Sequence, residues 1–142
     1  MRSVFWVLPG KLGGRPGPSK VPWDLAQLRS AFDAVLNLSE YPPPTDELAL
    51  VGLDHLWVPL PVSVPPDEEA ERSCLDRLPE AQAYLSQKLR AGQRVLVHCV
   101  SGKDRTGLLL AYYLAKTQNL ATRDALDRVR EVRPEALTAD GW

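Results

Sequence analysis

The chain has 142 residues, of which 44% are hydrophobic and 25% charged, with a formal net charge of −1 and two cysteines. That size suits one domain around a single core, and the composition is that of an ordinary globular protein. A balanced charge without a basic block argues against nucleic acid or an acidic membrane surface as partner, no apolar run nears the roughly 20 residues of a membrane span, and two cysteines make no disulfide framework, so a reducing, cytoplasmic setting is expected.

Val4 to Leu8 is a short apolar and aromatic run closed by Pro9-Gly10. It predicts a first strand and is too short for a secretory signal. The stretch "GKLGGRPGPS" is rich in Gly and Pro and predicts turn or loop. "WDLAQLRSAF" predicts a short helix with Pro22 and Trp23 at its start, and "AVLNLS" a strand. "YPPPT" breaks the chain, and "TDELALVG" predicts another short helix capped by Thr45. "HLWVPL" predicts a strand that runs into the Pro-rich "PVSVPPDEE". Cys74, Leu78, Ala81, Leu85 and Leu89 then recur at three- and four-residue spacing, one buried helical face bent or restarted at Pro79 and closed by Gly92. On that stripe Cys74 is a packing residue.

"QRVLVH" is apolar throughout and bounded by turn signals, as a central strand covered on both faces would be. "TGLLLAYYLAKTQ" predicts a helix that is apolar nearly all round. "TRDALDRVREVR" places Ala125, Leu126, Val129 and Val132 on one face, with Thr122 as its cap and Pro134 as its stop, and "EALTADGW" begins a final helix. The alternation of strands and helices predicts a single α/β domain over residues 1–142, three layers with a central, mostly parallel sheet and helices on both sides.

In such a sheet, ligands bind beyond the carboxyl ends of the strands. Cys99 lies there, between the last strand and the helix that opens near Arg105, with five residues between the two. Backbone N–H groups of Val100, Ser101, Gly102, Lys103, Asp104 and Arg105, together with the helix N-terminus, can form an anion cradle. Gly102 lets the loop curl, and Arg105 can hold two phosphate oxygens in a fork. Positive surroundings favour the thiolate, and the Thr106 hydroxyl can donate to it. A thiolate at the floor of a phosphate cradle is a nucleophile aimed at phosphorus.

"HCVSGKDRTG" resembles the signature loop of the cysteine-dependent protein tyrosine phosphatases: His-Cys, five residues, Arg, then Ser or Thr. The order of segments around it resembles the compact dual-specificity phosphatases of microbes, including "FWVLPGKLGG" near the start and "VREVRP" near the end. The resemblance implies a phosphomonoester hydrolase that works through a phosphocysteine on Cys99. Arg105 would hold the phosphoryl group, and His98 and Thr106 would tune the thiolate. No metal or cofactor is implied. Expected partners are a phosphorylated protein or small phosphomonoester, with phosphate and other oxyanions in the loop, met by a monomer.

The pattern departs from the family at the general acid. Compact relatives end an upstream strand in Pro-x-Pro-Asp, and this chain has Pro59-Leu60-Pro61-Val62. Val62 transfers no proton. Asp67, five residues further along, and Asp104, inside the signature loop, are the two substitutes. A carboxyl beside a thiolate and a phosphate tends to keep its proton, which favours Asp104. The competing role of Asp104 is to favour the helix N-terminus, and that of Asp67 is to do the same for the next helix with Glu68 and Glu69. Lys103 adds a cation at the mouth, as in phosphoinositide phosphatases. An alternative is therefore a phosphoinositide phosphatase with the same chemistry, and another is a catalytically weak phosphate-binding module.

Overall fold

The computed structural model of the chain describes residues 3–61 and 68–136, the side chains of 68–75 excepted. Five strands form one sheet in the order β1-β2-β5-β3-β4. They are β1 (Phe5–Leu8), β2 (Leu12–Arg15), β3 (Ala34–Asn37), β4 (Asp54–Trp57) and β5 (Val95–His98), with helices α1 (Leu25–Ala31), α2 (Thr45–Leu50), α3 (Glu68–Arg90), α4 (Asp104–Thr117) and α5 (Thr122–Val132). β1 runs antiparallel to β2, and every other pairing is parallel. The expected layered architecture holds.

Side-chain alternation along the strands builds two cores. Ala34, Leu36, Val95 and Val97 face one side, where they meet Leu78, Ala81 and Leu85 of α3 and Leu109, Leu110 and Leu114 of α4. Val35 and Leu96 face the other, against Leu28 and Phe32 around α1 and Leu48 of α2. Helices therefore cover both faces, which is why β3 and β5 are apolar in sequence without alternation. Ala125 and Val129 anchor α5 beside α4. Leu126 is half-buried, and Val132 is 39% exposed, so the α5 stripe is narrower than its spacing suggests.

Several expectations are corrected. The Gly-rich stretch read as loop contains β2, buried at all four positions. A Cβ on Gly13 would sit 3.1 Å from the Phe5 carbonyl, and one on Gly14 would overlap the Phe5 ring. Glycine here marks close approach between strands rather than a turn. Thr45 is the first residue of α2, not its cap; Pro44, with its preset φ, occupies the cap without a side-chain bond. Thr122 likewise stands inside α5, behind an extended Ala121. The start of α1 is made by Asp24, whose Oδ1 accepts from the Gln27 N–H at 3.2 Å. α3 is one helix through Pro79 rather than two, and Gly92, at φ +77°, closes the turn after it. Cys74's side chain, the Pro-rich loop with Val62 and Asp67, and residues 137–142 lie outside the described residues.

Candidate active site

β5 lies between β2 and β3, and in register Arg15, His98 and Asn37 stand level at the carboxyl edge. The chain segments leaving these three strands meet there. Cys99 follows β5 directly and is 2% exposed, and Asp104 opens α4. The short link between them is the signature loop.

Its shape follows from where its carbonyls are tied. A trans peptide points its C=O and N–H in opposite directions. The Cys99 carbonyl meets Nδ1 of His98 at 3.1 Å, and the Val100 carbonyl accepts from Gly17 N–H at 2.8 Å. The Ser101 carbonyl accepts from Nη2 of Arg133 at 2.9 Å, and the Gly102 carbonyl from its Nε at 3.2 Å. Four successive carbonyls are held from outside, so the N–H groups of Val100, Ser101, Gly102 and Lys103 are turned the other way. Gly102 is required twice: its φ is +69°, and a Cβ would lie 2.6 Å from the carbonyl of Arg15. Gly17 is required too, since its Cβ would overlap the Cys99 carbonyl.

Thr106, fully buried in the first turn of α4, donates its Oγ1 hydrogen to Sγ of Cys99 at 3.1 Å. His98 is buried, and burial pushes its pKa down to about 4; the nearby Arg15 and Arg105 charges push the same way, while the Cys99 carbonyl opposes them. The ring is therefore neutral near pH 7, and because a carbonyl faces Nδ1, that nitrogen carries the hydrogen. Trp23 meets the imidazole edge-on at 5.3 Å between centroids.

Arg105 is 9% exposed, and its Nη1 lies 3.4 Å from Oε2 of Glu40. Glu40 sits on the turn after β3. There Asn37 Oδ1 accepts from both N and Oγ of Ser39, at 2.8 and 2.7 Å, and Nδ2 donates to the Tyr41 carbonyl at 3.0 Å. Trp57 at the end of β4 ties the Ser39 carbonyl at 2.8 Å. Asp104 is mostly covered, with Oδ2 3.9 Å from Nζ of Lys103.

The structure thus brings together His98, Cys99, the loop from Val100 to Lys103, Asp104, Arg105 and Thr106. Sequence reasoning missed Glu40, Gly17 and Arg133. Glu40 and Arg133 meet the loop over 65 and 31–32 residues of chain, so nothing local marks them. "VREVRP" was a visible signal for Arg133, but its role needed the position of α5. Among the described residues, no cluster of three His, Cys, Asp or Glu could hold a metal, and no helix is long and apolar enough to cross a membrane.

Comparison with known proteins identifies the family. The family model described as "Dual specificity phosphatase, catalytic domain" matches residues 23–141. The mouse dual specificity protein phosphatase 12 is 29% identical over 136 residues, 96% of this chain and 38% of that protein. Tyrosine-protein phosphatase yvh1 of Schizosaccharomyces pombe is 29% identical over 86 residues, 61% of this chain and 24% of that protein. The chain thus spans well under half the length of these relatives. The crystal structure of Tk-PTP in the active form superposes with a TM-score of 0.80 at 28% identity, covering 96% of this chain and 88% of that one.

Proposed function

Because this chain belongs to the dual specificity phosphatase catalytic-domain family, we propose that it hydrolyses phosphomonoesters as a tyrosine or dual-specificity phosphatase. It does so as one domain over residues 1–142, a monomer in the cytoplasm, without metal or cofactor. The observation that carries the reading is Thr106 Oγ1 at 3.1 Å from Cys99 Sγ, on the floor of a loop whose amides turn inward and whose end carries Arg105.

The chemistry runs in two displacements. The Cys99 thiolate attacks phosphorus, and the S–P bond forms as the bond to the leaving oxygen breaks. The loop amides and the Arg105 fork hold the three equatorial oxygens. Glu40 orients the guanidinium for that task. Asp104 gives its proton to the leaving oxygen. Water then attacks the phosphocysteine, the Asp104 carboxylate takes the water's proton, and Cys99 leaves as thiolate with inorganic phosphate as product. Asp67 remains the alternative acid.

The test is chemical trapping. Rapid denaturing quench during turnover leaves phosphate on the Cys99 peptide. Cys99→Ser keeps phosphate affinity, because the cradle survives, and loses turnover; a Cys99→Ser rate within tenfold of wild type would sink the assignment. A phosphoinositide phosphatase with the same chemistry is the second reading, supported by Lys103 beside the loop. Relative kcat/KM on phosphotyrosine peptides and soluble inositol phosphates decides between them.

A further inference from the structure

The side of the sheet covered by α1 holds a cation that this mechanism does not use. Arg15, the last residue of β2, is 2% exposed. One nitrogen, Nη2, donates to the Val21 carbonyl at 2.7 Å and to that of Pro22 at 3.4 Å, and the Trp23 ring lies 5.6 Å from the guanidinium carbon. Nε and Nη1 are buried without a hydrogen-bond partner. Among the described residues, no ion pair includes Arg15. Burial also holds its guanidinium below the usual arginine range. A buried charge with two unmade hydrogen bonds is costly, and such a group calls for an explanation.

An independent feature supplies one. A cleft of about 640 Å³ opens at Arg15, walled by Val21, Pro22, Trp23 and Gln27. That volume is within the range of small-molecule sites. None of Cys99 to Arg105 lines it. Asp24 lies at its exposed rim, where its Oδ1 accepts from the Gln27 N–H.

We propose that this cleft is a second oxyanion site, in which Arg15 binds a phosphate-class dianion through the N–H groups that now lack partners. Both nitrogens are covered, so anion binding requires the side chains that cover the guanidinium to shift. Two sources share this chemistry: free inorganic phosphate, and the second phosphate of a bisphosphorylated substrate.

Calorimetric titration of the full chain with inorganic phosphate tests the site without requiring turnover, so it stands apart from failure of the phosphatase reading. Wild type binds two phosphates per chain. Arg105→Met disables the signature loop and retains one. Adding Arg15→Met removes that remaining site. Gln27→Glu, on the exposed wall and clear of the core, weakens it about tenfold by like-charge repulsion and covers the case in which the Arg15 variant does not fold. The proposal is overturned if Arg105→Met binds no phosphate, or if the site it retains is indifferent to Gln27→Glu. Among supporting outcomes, a rise in KM of Gln27→Glu confined to bisphosphorylated substrates identifies the substrate as the source; unchanged KM values identify free phosphate.

Discussion

Asp104 and His98 both sit at the head of α4 or its approach, and they answer to different experiments. If Asp104 protonates the leaving oxygen, Asp104→Asn damages substrates with poor leaving groups and spares activated aryl phosphates, whose leaving group departs as an anion. General acid help is worth about 10²–10⁴-fold, so the selective loss in kcat/KM on phenyl phosphate is of that order. Asp67→Asn is then nearly silent; the reverse pattern moves the acid to the Pro-rich loop. His98 makes a prediction about stability. Its pKa is about 4 folded against 6.5 unfolded, so below pH 6.5 the unfolded chain binds a proton that the folded chain refuses. The contribution is complete above pH 6.5 and disappears as pH falls towards 4, by roughly 3 kcal/mol in all. Urea titrations at pH 7 and pH 4.5 should show that slope in wild type and a flatter one in His98→Gln. Asp33 does not confuse the measurement. Its carboxyl is held down to about 2, chiefly by the hydrogen bond from Arg94, and its contribution is lost only below its ordinary value of 3.8.

At the scale of elements, the signature loop is shaped by what surrounds it rather than by its own residues alone. Arg15 at the end of β2 supplies the carbonyl wall against Gly102, the segment beyond it supplies Gly17, and Arg133 lies just beyond α5. Arg133 touches no reacting atom in the proposed chemistry; it is a positioning residue that fixes two peptide planes. Its two charge-assisted bonds are each worth about 1.5–3 kcal/mol when buried and well aligned, and at this half-buried site less. Arg133→Met should therefore lower kcat/KM by about tenfold to a hundredfold. Phosphate affinity and the rate of Cys99 alkylation should fall with it, Arg133→Lys should restore part of each, and melting temperature should move little. A variant with wild-type alkylation rate and phosphate affinity would show that the loop holds its form without this arginine.

Across the whole molecule, one sheet is shared by two cores, so neither can melt while the other persists. Leu36 is fully buried on the α3–α4 side of β3, with Val35 beside it in the opposite core. Leu36→Ala should cost about 2–5 kcal/mol. Unfolding followed by tryptophan fluorescence, far-UV dichroism and residual activity should remain one coincident transition in both proteins. Two separated transitions would contradict the single-domain reading. Much of this architecture is legible in the chain alone. β3, β5 and the helices between them announce themselves by apolar runs and periodicity, because burial on both faces selects for those patterns directly. His98, Cys99, Arg105 and Thr106 are equally legible, because a strand–loop–helix junction gathers its own residues over a short span. β2 was hidden because glycine selected for close approach looks like glycine selected for turning. The caps of α2 and α5 fall one residue earlier than the hydroxyl residues suggest, at Pro44 and Ala121, neither of which makes a side-chain cap bond, so no polar side chain marks either helix start. Glu40, Gly17 and Arg133 belong wholly to the tertiary structure: their partners lie tens of residues away, and only the sheet order β2-β5-β3 with α5 folded behind it decides which atoms meet. Arg15 meets Val21 and Pro22 only six and seven residues on, but its burial at the end of β2 is decided by the sheet.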